Sequence, residues 1–115
     1  MMKDMSIETT ALLVGLIFVI VSIIMLAFPP KKINGLYGYR TSASMKSQKH
    51  WDFAQRFSSF RMIEAGIFLL GFSFASNYFG INPVKSAVGT IVLLLASTLY
   101  LILRTEIALK KKFPN

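Results

Sequence analysis

The chain reads as an all-α integral membrane protein: three transmembrane helices, with an interfacial cytoplasmic helix between the first and the second. Three observations carry that expectation. Of the 115 residues 54% are hydrophobic and only 16% charged, with a mean hydropathy of +0.56. Soluble domains are roughly 45–50% apolar and about 25% charged, and a small fold buries only about two-thirds of its unfolded surface. Second, the uncharged stretches are long. Thr9 to Pro30 runs 22 residues, Ala65 to Val84 runs 20 and Ser86 to Leu103 runs 18, against the ~20 that a membrane-crossing helix requires. Third, the basic residues alternate in density from one connection to the next, as the loops of a multi-pass protein do.

The first crossing, about residues 9–28, reads ALLVGLIFVIVSIIMLAF. It is apolar on every face, which suits lipid rather than an amphipathic core helix, and it must stop at Pro29-Pro30. A secretory signal is the competing reading. Its apolar core would be only ~7–15 residues and would end in a small-residue cleavage site, whereas Lys31-Lys32 follow here.

The connection over residues 31–60 is long for so short a chain, and long loops are functional or disordered. Disorder is disfavoured because this one holds Leu36, Tyr37, Tyr39, Met45, Trp51, Phe53, Phe57 and Phe60. Gly35 and Gly38 suit a tight turn. From Ser44 or Ser47, either of which is a good N-cap, the pattern becomes helical. Asp52 and Arg56 have the spacing of a stabilising ion pair. At 3.6 residues per turn Phe53, Phe57, Phe60 and Glu64 share one face, and Trp51, Ser58 and Ala65 lie nearly opposite. The helix either runs straight into the second crossing or bends near Ser58-Ser59.

The second crossing, about 61–79, is rich in Phe and Gly and fades at Asn77-Tyr78-Phe79-Gly80. The third, about 86–104, ends at Arg104, and Glu106 with Lys110 suggests a further turn or two of helix before the basic tail, 105–115. Ala11/Gly15 and Gly71/Ala75 are pairs of small residues that allow close helix approach or a homo-oligomer.

Charge orients the chain. The 31–60 connection carries Lys31, Lys32, Arg40, Lys46, Lys49 and Arg56, and the tail carries Arg104, Lys110, Lys111 and Lys112. The alternate side carries only Lys3 and Lys85, with Arg61 left aside at the mouth of the second helix. The expected arrangement has the N-terminus outside and the connection and C-terminus in the cytoplasm. The net charge of +8 is thus a membrane-facing charge suited to a bilayer with anionic headgroups, and direct nucleic-acid binding is not expected.

Asn34, then Gly38-Tyr39-Arg40-Thr41, Ser44 and Trp51 resemble the signature of the SdpI family of small bacterial membrane proteins. That family is named for an immunity protein against a secreted sporulation-delaying toxin. The resemblance covers about a quarter of the chain. It implies a multi-pass protein of the bacterial cytoplasmic (inner) membrane, with a role in toxin immunity. For the namesake it also implies membrane capture of a transcriptional regulator. Family members often carry His or Asn where this chain has Gln55, and the namesake has membrane segments ahead of this module, so the chain resembles the minimal module alone.

The candidate binding residues are therefore Asn34, Gly38, Arg40, Thr41, Ser44, Trp51, Arg61 and Glu64. Arg40 offers a planar, permanent charge for a carboxylate or phosphate; structurally, it would pair with Glu64 or a helix C-terminus. Glu64, about one turn into the second crossing, is too costly to leave unpaired at depth, and Arg61 is in reach. Trp51 reads first as an interfacial anchor, with packing on the Arg40 turn as the alternative that its place in the resemblance implies, and His50 reads as a solvated helix residue. With no cysteine and one histidine, neither thiol chemistry nor a multi-histidine metal site within one chain is available, and no cofactor is expected. No catalytic constellation appears, so the chain reads as a non-enzyme. The leading function is protection against a membrane-active peptide toxin. The alternatives are an adaptor that captures a cytosolic transcriptional regulator through its basic loop, and a subunit of a small transporter that uses Glu64 and Arg61.

The ten-to-two division of basic residues makes the topology testable. Single cysteines at positions 47 and 82 should label from opposite sides of the membrane in intact cells; labelling of both from one side would refute the arrangement.

Overall fold

The computed structural model describes residues 2–114, with side chains from residue 10 onward. The charges Lys3, Asp4 and Glu8 of the N-terminal tail therefore fall outside the described side chains. Among the described residues the only regular structure is three helices: α1 (Met2–Ala27), α2 (Gln48–Tyr78) and α3 (Pro83–Lys112). All three contain a segment long and apolar enough to cross a membrane. They run up, down and up, so the 28–47 connection and the C-terminus share one end, and the 79–82 turn occupies the other. We call the first the loop end.

The boundaries follow local chemistry. α1 stops one residue before Phe28-Pro29-Pro30, where proline removes the donors a helix needs. Ser47, in extended conformation, caps α2 by accepting from the His50 amide at 3.2 Å. At the other end of α2 Gly80 takes φ +63° and the Ile81 amide reaches back to Ser76 O at 3.0 Å, a glycine-terminated stop. Asn82 then caps α3 through the Val84 amide at 2.8 Å, with Pro83 at the first helical position.

The separate interfacial helix expected between the first and second crossings is absent: that segment is the first half of α2. No glycine or proline interrupts α2 before Gly66. Ser58 and Ser59, the expected bend, instead return their hydroxyls to Gln55 O at 3.3 and 2.6 Å, a local bond compatible with continued helix. At 1.5 Å per residue the 31 residues of α2 span about 46 Å, against ~30 Å of hydrocarbon. The molecule is 52 Å long. About a third of α2 and the last turns of α3 therefore extend past a bilayer core and carry the loop between them.

The interior is small and polar, and the outside is large and apolar. Ser22, Gln55, Ser58, Ser59, Ser73, Ser76, Ser86, Thr90 and Thr105 are all buried, whereas Ile17, Ile20, Phe68, Phe74, Leu95 and Leu99 are exposed. A protein in water would reverse this, and small inward residues with apolar outward faces are what lipid demands. The hydroxyls are satisfied locally, as in Ser22 to Phe18 O at 2.6 Å and Thr105 to Leu101 O at 2.7 Å, or across helices, as in Ser76 to Ser86 at 2.7 Å.

α2 packs most extensively on α1, and the closest approach is at Gly15 and Gly66. A Cβ added to either would lie 3.0 Å from the other's carbonyl oxygen, and one on Gly66 would also come within 2.7 Å of Val19 Cγ2. Of the two small-residue pairs, Ala11/Gly15 is buried at this crossing. Gly71 and Ala75 face outward, and nothing stands within 4 Å of a Cβ added to Gly71.

This contrast sets an expectation for stability in detergent. Gly66→Leu should lower it by about 1–3 kcal/mol or more, through overpacking of a backbone contact. Gly71→Ala should be neutral or gain up to ~1 kcal/mol of helix propensity. Thermal unfolding of the two variants distinguishes them, and equal behaviour would contradict the crossing.

Candidate functional site

The connection between α1 and α2 folds into a fixed platform on the loop end. Asn34 closes the first turn on itself, its Oδ1 accepting from the Leu36 and Tyr37 amides at 2.8 Å each and its Nδ2 donating to Lys32 O at 2.9 Å. The Tyr37 hydroxyl donates to Phe28 O at 2.8 Å, which satisfies a carbonyl just past the end of α1. Gly38 adopts φ +112° with Gln55 and Pro30 packed against it; a Cβ there would meet Gln55 Oε1 at 2.6 Å and Pro30 Cγ at 2.8 Å. Glycine is required on both counts.

The next residue is held from two helices. Gln55, buried on α2, accepts from the Tyr39 amide at 2.6 Å and donates to the Tyr39 carbonyl at 2.8 Å. On the α3 side, Glu106 Oε2 accepts from the Tyr39 hydroxyl at 2.7 Å and the Thr41 hydroxyl at 2.8 Å. Burial, reinforced by the hydrogen bond to the Glu106 carboxylate, pushes the Tyr39 phenol well above its ordinary pKa. It therefore stays protonated and a donor to Glu106. Ser44, also buried, accepts from the Thr41 amide at 2.8 Å and lies 3.0 Å from Thr41 O and 3.2 Å from Tyr39 O.

Trp51 supports this turn from below. Its side chain is fully buried and its indole N–H donates to Pro30 O at 2.5 Å, so it is the core of the loop and not the bilayer anchor its residue type suggested. The helical-wheel expectation holds in this region: Trp51, Ser58 and Ala65 all face inward, whereas Phe60 and Glu64 are exposed. Several local pairings differ from expectation. Asp52 accepts from Gln48 at 2.7 Å and Arg56 lies over the Phe60 ring at 5.6 Å, so the Asp52–Arg56 ion pair does not form. Glu106 is engaged by the loop and not by Lys110. The His50 ring stacks on Phe113 at 4.2 Å. Ser47 Oγ takes the His50 amide hydrogen and lies 2.6 Å from Nδ1, which suits a hydroxyl donating to an unprotonated Nδ1.

Arg40 stands apart from its neighbours. It is exposed and, among the described residues, makes no hydrogen bond or ion pair. Of the two partners expected for Glu64, Arg61 is the one that pairs with it, and the Arg40–Glu64 alternative is absent for a geometric reason. Gln55 fixes Tyr39 at its own level of α2, and Glu64 is nine residues further on, about 13 Å along the axis. Glu64 instead pairs with Arg61 at 2.8 Å and accepts from the Tyr100 hydroxyl at 3.4 Å. The guanidinium of Arg61 lies 4.8 Å from the Phe57 ring centroid, a contact that offsets the lack of an acceptor for its buried Nε. The eight candidate residues thus form two groups. Asn34, Gly38, Arg40, Thr41, Ser44 and Trp51 belong to the platform, and Arg61 with Glu64 to a second cluster.

The residue-type reading missed Gln55, Glu106, Tyr39 and Pro30 as parts of this site. Gln55 carried a usable signal, because it lies four residues after Trp51 and so on the same helix face. Glu106 carried none, since its partners are 65 and 67 residues away.

Residues 31–104, which hold both groups, match the SdpI/YfhL protein family. The chain is also similar to the uncharacterized protein YfhL of Bacillus subtilis (strain 168), with 36% identity over 103 residues that cover 88% of this chain and 86% of that protein. No solved structure shows significant similarity.

The platform's stability should depend on its buried clamps. Gln55→Leu leaves the Tyr39 amide without a partner and the Tyr39 carbonyl with the Ser44 hydroxyl alone, at about 1–3 kcal/mol for the buried group left unpaired. Glu106→Ala should cost more than Glu106→Gln, which keeps an oxygen acceptor. The single tryptophan, Trp51, sits in this core, so its fluorescence in a denaturant titration measures each change. An unchanged Gln55→Leu midpoint would exclude the clamp.

Proposed function

This chain belongs to the SdpI/YfhL family, and from that premise we propose that it is a bacterial inner-membrane protein protecting the cell from a membrane-active peptide through its loop platform. The proposed orientation has the N-terminus outside and the loop end in the cytoplasm, in keeping with the ten basic residues on that side. The observation that carries the reading is the state of Arg40. Main-chain or side-chain groups of its neighbours Asn34, Tyr39, Thr41 and Ser44 are engaged inside the protein, and Gly38 is fixed by packing. Arg40 alone of the Gly-Tyr-Arg-Thr turn presents a side chain with no internal partner among the described residues. A turn held from two helices, with one exposed guanidinium, suits recognition of a carboxylate or phosphate by bidentate hydrogen bonds. In this mechanism the platform supplies orientation and Arg40 the contact, so that the toxin is bound or denied the site it needs.

A second reading rests on a different observation. Lys31, Lys32, Lys49, Arg56, Lys110, Lys111 and Lys112 are all exposed and lie with Arg40 toward the loop end. That field suits an adaptor that captures an acidic soluble regulator. Reversal of several of these charges would abolish capture by an adaptor, whereas recognition at Arg40 depends mainly on one side chain.

Arg40→Ala and Arg40→Lys should both lose protection when expressed in a toxin-sensitive cell, because lysine keeps the charge but lacks the planar fork. Both should unfold within about 0.5 kcal/mol of the parent, as surface substitutions do, and Lys49→Ala should protect normally. Full protection by Arg40→Lys would reduce the residue to a topology charge.

A further inference from the structure

On the side of α2 away from the platform, an open groove of about 410 Å³ runs between α2 and α3. Ala65, Phe68, Leu93 and Ala96 form its walls, and Glu64 and Tyr100 close the end nearer the loop. Phe68 is two-thirds exposed, so the groove opens sideways, toward the lipid. At its head four side chains form a continuous chain. Arg61 pairs with Glu64 at 2.8 Å, Glu64 accepts from Tyr100 at 3.4 Å, and Tyr100 accepts from Arg104 at 3.1 Å. Both Glu64 oxygens are thereby engaged, one by each neighbour. Arg104 has five N–H donors. It makes this one hydrogen bond and no ion pair among the described residues. Two arginines and one glutamate leave a local charge of +1.

The depth of the cluster follows from the sequence. Arg61 and Glu64 immediately precede the uncharged stretch of α2, and Arg104 immediately follows that of α3. In two antiparallel helices both positions fall at the same boundary, the level of the headgroups of one leaflet. A cationic head of net +1 above an apolar, laterally open groove is complementary in charge and polarity to one molecule class available at that depth.

We propose that this groove binds an anionic phospholipid, with an acyl chain along Phe68, Leu93 and Ala96 and the phosphate on the unpaired donors of Arg104. Glu64 does not repel the phosphate, because Arg61 neutralises it; its role is to hold the Tyr100 hydroxyl that positions Arg104. The site is independent of the Arg40 platform and of the protective function.

Purified full-length protein in a neutral detergent provides the test. Phosphatidylglycerol should raise the unfolding temperature by roughly 4–8 °C, and phosphatidylcholine with the same acyl chains by much less. Arg104→Gln should remove most of that shift, and so should Ala96→Phe, which fills the groove without altering charge. Both substitutions lie on exposed positions and should leave the lipid-free unfolding temperature near that of the parent. Lys111→Gln, an equal loss of charge outside the groove, should retain the shift. Retention of the shift in Arg104→Gln or Ala96→Phe, or an equal effect of phosphatidylcholine, would overturn the proposal. So would an equal effect of soluble glycerol 3-phosphate, which would identify a phosphate site without a lipid.

Discussion

The buried carboxamide of Gln55 holds both the amide and the carbonyl of Tyr39, and much of the loop end depends on that contact. It fixes the height of the turn on α2 and brings the Tyr39 and Thr41 hydroxyls to a single oxygen of Glu106, so that the loop also ties α3 to α2. It requires glycine at position 38, because the carboxamide fills the space a Cβ would need. It also requires an unbroken α2, since a bend at Ser58-Ser59 would alter the angle at which the projecting half of the helix meets the loop. Bonds buried from water are worth more than exposed ones and cost more to leave unmade, which is why one neutral side chain can organise a loop carrying so many charges.

The rest of the molecule answers to lipid. With no water in the hydrocarbon, helices gain nothing by hiding large apolar side chains from one another, and they associate through close packing. Gly15 and Gly66 let α1 and α2 meet backbone to backbone, and the interior that results has room mainly for serine, threonine and alanine. Their hydroxyls bond one turn back or to each other, so among the described residues the buried hydroxyls all have partners. The large residues face outward, where lipid replaces the protein core. At the loop end this logic switches: Trp51 is buried, aromatic rings stack, and charged groups lie outside.

These two regimes explain which features were legible in the residues. The three crossings were readable because hydrocarbon thickness sets a length and a composition. Pro29-Pro30 and Gly38 were readable because each acts through local backbone chemistry, and the same chemistry narrowed the cap of α2 to Ser44 or Ser47, of which the structure uses Ser47. The Trp51–Ser58–Ala65 face was readable because a helix has a fixed period. The continuity of α2 was not, since serines at 58 and 59 are compatible with either a bend or a back-bonded helix. Trp51 stayed open between two readings for a related reason: the same ring suits a headgroup region or a packed turn, and its burial with the bond to the Pro30 carbonyl distinguishes them. Of the ion pairs inferred from i,i+4 spacing, Asp52–Arg56 lost to neighbours one turn away, Gln48 and Phe60, and Glu106–Lys110 to hydroxyls far away in the chain. An exposed pair of this type is worth little, whereas Glu106 gains two hydroxyl donors at once.

The two groups of candidate residues lie on opposite sides of the same helix, and this bears on how the protein can work. On one side of α2, Trp51 and Gln55 hold the platform. On the other, Phe53 stacks with Phe57 at 5.6 Å and meets Phe113 of the tail edge-on at 6.1 Å, while Lys112 lies over Phe53 at 5.8 Å and Arg61 over Phe57. The loop end of α3 is therefore held at two levels, to the loop through Tyr39–Glu106 and to α2 through the contacts of Phe113 with His50 and Phe53. A helix held at two levels is poorly suited to the sliding or hinging that gating requires, because either motion would separate the Tyr39–Glu106 hydrogen bond or the His50–Phe113 ring stack. Recognition by a preformed surface needs no such motion and gains from its absence, since a turn already held in place loses less backbone entropy on binding than a mobile loop. The double fastening thus favours a protein that presents fixed contacts at the membrane surface over one that opens a path through it.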